Sequence, residues 1–448
     1  MCIRDRGNDM NDKASRYNIE IEYYNGILLY NSLTNRILPI SLKDYSIIET
    51  LMEHLPTFRQ KFPELYSAFQ RSGFIISPDF DELAYLKLQN KRCIFMNRDY
   101  HLTINPTLDC NLKCWYCSVA YAGAKYDRER MSDEIVDNLI KHINLLVTQK
   151  KANSILLDWF GGEPLMYFDE VIKKISDSVF PILLQNNVKF RQQITTNATL
   201  LSEDRIRYMK DMNFDFFQIS IDGNECRQNL IKRYSDKHGT YRDVVDNINL
   251  LSEVIPDVSI CLRVNYDKQT LKNIKDIIND FTEKSIKCIT VDFQRVWQIS
   301  CTEEMRKLLE KAKVEFEKAG FRSRFWAYRP FRYKCCYADS INHYVVNYDG
   351  RIFKCTARDY GEELTLGHLL KSGEIDWNDG ILSKMFVKAT FENERCENCR
   401  VLPLCMGPCI QKNYDALINC KQLTCVYDNV EYSLSSFVIE MAKQRNLI

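Results

Sequence analysis

A chain of 448 residues is longer than one ordinary core covers, so two or three domains are expected. Sixty-one Lys and Arg against sixty Asp and Glu leave a formal charge of +1, which supplies no global field for a polyanion and argues against nucleic acid as a partner. With 45% hydrophobic residues, no long apolar run and no signal-peptide core in the polar stretch from Met1 to Asn11, the sequence reads as a soluble cytoplasmic protein with real cores and no membrane span.

The opening Met1 to Gly7 fits no structural pattern and is set aside as a start-site scar, with residues 1–17 expected to be disordered or scar. Residues 18–90 predict a small α+β module. Two short apolar runs, Ile27 to Tyr30 and Ile37 to Ile40, flank a polar turn; Ser41 with Asp44 marks a helix start, and a second helix opens at Pro63 and stops near Gly73. Phe74 to Ile76 reads as a further strand.

From His101 to about Gly320 strands and amphipathic helices alternate, the pattern of βαβ units around a parallel sheet. Six strands are predicted: Leu102 to Asn105, Ile155 to Phe160, Lys189 to Thr195, Phe216 to Ile221, Val258 to Val264 and Ile289 to Phe293. The helix from Asp133 to Val147 has the required periodicity behind a natural cap at Ser132. Six units fall short of a closed eight-stranded barrel, so the α/β fold expected over residues 98–322 is an open, partial (β/α)6 TIM-type barrel. After about Phe325 the alternation stops, and residues 323–448 read as a Cys-rich domain whose turns, such as Asn347 to Gly350, depend on metal.

Eighteen cysteines in a chain without an export signal point to metal ligation rather than disulfides. Cys110, Cys114 and Cys117 stand within eight residues directly after the first barrel strand, where parallel-sheet enzymes place catalytic loops. Three thiolates leave one iron of a 4Fe-4S cluster open to an outside ligand, whereas a structural zinc needs four ligands, so a zinc loop would have to borrow a distant fourth. Gly161-Gly162-Glu163-Pro164 ends the second strand; the glycines would let backbone approach a ligand, and Glu163 could accept from an ammonium group. Thr196 and Asn197 end the third strand, Ser220 and Asp222 the fourth, and Arg263 and Asn265 lie on the fifth, at one rim. Any of them could instead cap a neighbouring turn.

Cys110 to Cys117 with Tyr116 between them resembles the signature of the radical S-adenosylmethionine (SAM) superfamily, and the likeness extends over about 220 residues. The resemblance implies a catalytic 4Fe-4S cluster on Cys110, Cys114 and Cys117, with Glu163 at the methionine amino group of SAM. It also places Tyr116, Gly161, Gly162, Pro164, Thr196, Asn197, Ser220, Asp222 and Arg263 around the cosubstrate. Where the family often continues with a His-Asp pair and an Arg, this chain has Gln228, Asn229, Lys232 and Arg233.

The last quarter carries a second pattern. Cys336 is followed by thirteen residues, Gly350, four residues and Cys355, then by Cys396, Cys399, Cys405, Cys409 and Cys425. This arrangement resembles the SPASM extension of peptide- and protein-modifying superfamily members. By that resemblance Cys396, Cys399, Cys405 and Cys425 hold one auxiliary 4Fe-4S cluster. Cys336, Cys355 and Cys409 hold another, with adjacent Cys335 a second candidate. A zinc ribbon is the alternative, since two of the spacings also suit zinc.

The amino-terminal module is similar to the winged-helix recognition element of enzymes that modify ribosomally made (RiPP) peptides, which add a leader peptide to a sheet edge; a packing extension is the bland alternative. Together the resemblances imply an oxidoreductase, a RiPP peptide maturase. It would split SAM to a 5′-deoxyadenosyl radical, abstract hydrogen from a precursor peptide and form a thioether or carbon-carbon crosslink, drawing electrons from a low-potential flavodoxin- or ferredoxin-type donor. An anaerobic sulfatase-maturating, formylglycine-generating activity is the second reading; in those relatives an Asp base follows the cysteine matching Cys355, where this chain has Thr356. A catalytically silent iron-sulfur adaptor that binds a peptide is the third.

Overall fold

The computed structural model describes residues 12–117, 119, 129–323, 328–357, 360–419, 425, 427 and 433–448. Of residues 1–17, expected to be disordered or scar, 1–11 lie outside them, whereas Lys13–Ala14 form a strand and Tyr17 is buried in a core, which corrects that boundary. The chain divides into two compact units, one of Met1–Met96, Phe325–Ser340 and Met385–Ile448, the other of Asn97–Arg324 and Ile341–Lys384.

In the first unit, β1 (Lys13–Ala14) precedes an antiparallel meander of β2 (Asn18–Tyr23), β3 (Gly26–Asn31) and β4 (Arg36–Ser41). Ser41 ends β4 and caps α1 (Leu42–Glu53), accepting from the Asp44 amide at 3.2 Å, the start expected from sequence. Pro56 lacks the N–H a continuing helix would need, and a new helix, α2 (Leu55–Lys61), begins there. α3 (Pro63–Ser72) stops at Gly73, whose φ of +80° and 2.5 Å Cβ approach to the Thr34 methyl leave room only for glycine. β5 (Ile75–Ile76) then returns to pair with β1, and α4 (Glu82–Phe95) follows, capped by Asp81.

Every residue of β3 is buried because both faces of the meander are covered. Leu29 packs among Leu51, Leu55, Phe58, Tyr66 and Phe69 of the three helices, while Leu28 and Tyr30 pack against Phe437 and Val438 of the carboxy-terminal helix Leu434–Gln444. A third cluster joins Tyr17 and Leu86 to Phe391, Leu402 and Met406. The amino-terminal module therefore shares its cores with the segment that carries most of the late cysteines.

In the second unit the six expected strands all form: β6 (Asp99–Ile104), β7 (Ser154–Trp159), β8 (Lys189–Thr196), β9 (Phe214–Ile221), β10 (Ser259–Tyr266) and β11 (Ile289–Arg295), parallel and in sequential order. β12 (Arg322–Ser323) extends the β11 side. On the β6 side come β13 (His343–Val346), parallel to β6, and then the antiparallel β14 (Arg351–Phe353), β15 (Gly367–Leu369) and β16 (Ile375–Trp377). The partial barrel thus takes four strands from sequence that had been assigned to the Cys-rich domain.

Alternation sets the chemistry of the two faces. Leu102, Ile104, Leu157, Trp159, Phe217, Ile219, Leu262 and Val264 are buried on one, whereas His101, Thr103, Asp158, Ser220, Asp222, Arg263 and Asn265 share the other. The helix expected behind Ser132 runs Asp133–Thr148 and buries Val136, Leu139, Ile143, Leu146 and Val147. Its His142 bonds the Gly373 carbonyl at 2.7 Å and the Tyr344 hydroxyl at 2.6 Å, fixing the β13 to β16 extension. Burial pushes His142 down to about 4, so the ring is neutral.

Candidate active site

The loop after β6 presents the three early cysteines, and the turn after β7 supports it. Gly162 donates to the Thr107 carbonyl at 3.0 Å and Glu163 to the Asp109 carbonyl at 2.8 Å. A Cβ on Gly161 would stand 2.2 Å from the Thr107 oxygen, and one on Gly162 1.8 Å from the Asp109 oxygen. The backbone of the cysteine loop therefore packs directly against both glycines. Pro164 opens the short 3-10 turn Pro164–Tyr167, which Glu163 caps.

Glu163 is wholly buried. Its carboxyl accepts from the Leu165 amide at 3.0 Å, the Thr196 hydroxyl at 2.8 Å and the Asn197 amide at 2.8 Å. Burial raises it to about 7, with those donors and Lys232 pulling the other way. The side-chain Nδ2 of Asn197 reaches the Cys110 sulfur at 3.7 Å and the Asn111 side-chain oxygen at 2.9 Å, so the ends of β7 and β8 meet the cysteine loop. Thr196 and Asn197 thus hold Glu163, and each also caps the following turn, accepting from the Ala198 amide at 2.9 Å and the Thr199 amide at 3.0 Å.

A second group gathers at the ends of β9 and β10. The Tyr116 hydroxyl contacts both Asp222 carboxylate oxygens, at 2.7 and 2.6 Å. Asn265 donates to the Tyr116 oxygen at 3.1 Å and to Asp222 at 3.3 Å, and Arg263 donates to Asn265 at 3.1 Å. The buried Lys232 ammonium lies 3.6 Å from Asp222 and donates to the Ser220 carbonyl at 3.0 Å and to its hydroxyl. Sequence reasoning had noted Lys232 only as a departure from the family pattern. Of its neighbours, Gln228 accepts from the Asp222 amide at 2.8 Å and Asn229 from the Tyr241 amide at 3.0 Å.

The thiols of Cys110, Cys114 and Cys117 are close enough to influence one another electrostatically. Burial pushes Cys110 up to about 12 and Cys114 up to about 11, with Lys232 drawing Cys114 back toward the thiolate. Such thiols suit a metal, which displaces the proton outright.

Six of the candidate ligands share one hydrogen-bond pattern. The sulfurs of Cys110, Cys355, Cys399, Cys405 and Cys425 each accept, at 3.4 Å, from the backbone N–H two residues on; Cys409 accepts from Lys412 three residues on, also at 3.4 Å. Backbone donors favour the thiolate form. By contrast Cys93, Cys288 and Cys301 donate to backbone carbonyls.

In the first unit, Cys396, Cys399, Cys405 and Cys425 act on one another's charge, the grouping the SPASM resemblance implies. Asp339, which sequence reasoning missed, accepts from the amides of Cys335 at 2.6 Å, Cys336 at 3.0 Å and Ile410 at 3.1 Å, tying that turn to the helix behind Cys409. The Cys336 sulfur accepts from the Asp339 amide, whereas the Cys335 thiol is held well up by burial and by the Asp339 charge. Cys355 follows β14 in the second unit.

Comparison with known proteins agrees with this chemistry. The radical SAM superfamily model matches residues 104–281. The cysteine-type anaerobic sulfatase-maturating enzyme of Clostridium novyi is 22% identical over 331 residues, covering 67% of this chain and 85% of the relative. The GTP 3′,8-cyclase of Clostridium acetobutylicum is 26% identical over 228 residues, covering 49% of this chain and 62% of that one. Among solved structures, native anSMEcpe with bound AdoMet has a TM-score of 0.56 at 20% identity, over 78% of this chain and 98% of that chain, a likeness of fold. Among the described residues no helix is long and apolar enough to cross a membrane. Residues 104–281, which include Cys110, Cys114 and Cys117, thus match the radical SAM superfamily, whose enzymes use a 4Fe-4S cluster and S-adenosylmethionine, and over 67% of its length the chain is similar to a sulfatase-maturating enzyme.

Proposed function

We propose that this chain is a radical SAM peptide maturase that crosslinks a precursor peptide. The observation that carries the reading is the first unit, where a peptide-recognition-like module shares its cores with the segment holding Cys336, Cys396, Cys399, Cys405 and Cys409. Cys110, Cys114 and Cys117 would hold the catalytic cluster. Reduced by a flavodoxin- or ferredoxin-type donor, a cluster held there would supply the one electron that cleaves the SAM sulfonium to methionine and a hydrogen-abstracting 5′-deoxyadenosyl group, and an auxiliary cluster would take the electron released with a proton when the crosslink closes. Glu163 would accept from the SAM ammonium, and the β9 and β10 rim would orient the rest.

β4 is the edge for the peptide. Among the described residues no strand pairs with its outer side. Leu28 faces Pro39 in register, and because proline has no N–H that pair cannot be the hydrogen-bonded kind. The alternation then turns the Ile37 N–H outward, where an added peptide strand would accept it. Leu42 and Ile47, at the start of α1, are exposed beside that strand.

Coexpression with the short peptides encoded beside this gene, followed by mass spectrometry, tests the reading: a crosslink removes two hydrogens from the peptide. Ile37→Pro should weaken peptide binding about tenfold and leave peptide-free SAM cleavage intact. Unchanged peptide affinity removes the β4 assignment. A formylglycine-generating activity is the second reading, favoured by the 85% coverage of the C. novyi maturase and opposed by Thr356. Conversion of a peptide cysteine to an aldehyde would select it.

A further inference from the structure

Tyr116 stands between two candidate cluster ligands, and its phenol reaches past the cosubstrate rim to a buried carboxylate. Asp222 has no exposure, and its two oxygens are taken up by the Tyr116 hydroxyl, the Asn265 amide and the Lys232 ammonium. Both oxygens of Asp222 are thus engaged by protein groups, two hydrogen-bond donors and one countercharge. Its backbone is fixed as well, with the N–H on Gln228 and the carbonyl on the Thr270 hydroxyl at 2.9 Å. Gln298 holds the Tyr116 carbonyl at 3.2 Å from the far side of the loop.

A buried carboxylate persists only where charge and hydrogen bonds offset its lost hydration. Lys232 does this. Its ammonium points one way to Asp222 and the other to Ser220, with 3% of the side chain exposed.

We propose that Tyr116, Asp222, Asn265 and Lys232 form a buried latch that clamps the cysteine loop to β9 and β10, with Lys232 as the countercharge. These are positioning residues. The latch presets the loop on which SAM must find its open iron, so the cost of ordering that loop is met in folding and not in binding. Asp222, assigned from sequence to the cosubstrate pocket, acts through Tyr116. The inference rests only on the SAM-binding part of the proposed function.

The test uses the full chain, anaerobically reconstituted, with SAM as the probe. Iron and sulfide content, the SAM dissociation constant and the electron paramagnetic resonance of the reduced cluster with and without SAM are measured for Tyr116→Phe, Asp222→Asn and the double variant. Tyr116→Phe keeps the ring and removes the latch bond. We expect full iron, SAM binding weakened about tenfold, a broadened SAM-bound signal, and a double variant no weaker than the weaker single variant. Wild-type SAM affinity and spectrum in Tyr116→Phe, or two independent losses that multiply in the double variant, would overturn the latch. Lys232→Met leaves a buried charge alone; adding Asp222→Asn should restore folding and cluster content, and failure of that rescue counts against the countercharge role. A wild-type chain that holds iron yet binds no SAM overturns the superfamily reading itself, a result distinct from failure of the latch. Failure to modify any peptide leaves the latch standing.

Discussion

Replacing Glu163 by Gln should stabilise the empty protein at alkaline pH while weakening its binding of SAM. Burial lifts the carboxyl from its ordinary 4.5 to about 7, which corresponds to about 3 kcal/mol favouring the neutral form inside the fold. The sign follows from linkage: the raised group contributes its full stability below about 4.5 and loses it as pH climbs through about 7. At pH 8 the wild type therefore carries a charge penalty that Gln lacks. Against this, the Gln amide must turn its NH2 toward one of three donors, Leu165 N–H, Thr196 hydroxyl or Asn197 N–H, a loss of about 1 to 2 kcal/mol. The cluster-free variant should thus be about 1 to 2 kcal/mol more stable than wild type at pH 8 and no more stable at pH 5. In the reconstituted protein, losing a charge-assisted bond to the SAM ammonium should raise the dissociation constant about thirtyfold at pH 8. Wild-type affinity should fall about tenfold per pH unit below about 7, because the proton must leave before an ammonium can be accepted, and the variant should show no such slope. Urea unfolding and equilibrium dialysis of SAM at the two pH values measure both effects. Equal SAM affinity of the two proteins at pH 8 would refute the role given to Glu163.

Changing Cys110, Cys114 and Cys117 together to Ala should abolish SAM cleavage and remove about a third of the bound iron, if three 4Fe-4S clusters are present; iron and sulfide analysis beside a 5′-deoxyadenosine assay checks it. Gly162→Ala places a methyl 1.8 Å from the Asp109 oxygen, so the cysteine loop must shift. That variant should lose the catalytic cluster's absorbance while keeping the far-ultraviolet circular dichroism of the fold. His142, held down to about 4, gives stability that is complete above its ordinary 6.5 and is lost as pH falls toward 4, up to about 3 kcal/mol. His142→Phe should flatten that acid dependence and cost about 2 to 3 kcal/mol at pH 7, because the Tyr344 hydroxyl and Gly373 carbonyl lose their partner. Chemical denaturation across pH 4 to 8 reads both.

What was legible in the sequence is what local pattern encodes. The six barrel strands stood out because one face of each is continuously apolar, and the catalytic triad because three thiols share one short loop after the first of them. Helix starts at Ser41 and Ser132 were legible for the same reason, a cap three residues from the amide it serves. The breaks in reading occur where a residue's role is set by a distant partner. β2 alternates Ile and Glu, but the short run NIEIEY identifies itself as a strand only through pairing with β3. The module at residues 18–90 reads as self-contained until Leu28 and Tyr30 meet Phe437 and Val438, about four hundred residues away in the chain. That contact changes an experiment: deleting the module would strip the core from the Cys-rich segment, whereas Ile37→Pro removes one outward N–H and one side chain at the edge of that core, so its urea stability is measured beside its peptide affinity. Asp339 and Lys232 were missed for a related reason. Each is an ordinary charged residue in sequence, and each becomes informative only once buried, where an uncompensated charge is not tolerated and its partners must therefore be named. In this chain those partners are the amides of Cys335 and Cys336 for the one, and Ser220 and Asp222 for the other, Asp222 being the carboxylate that the Tyr116 phenol also holds, so both buried charges act close to cysteines expected to hold iron.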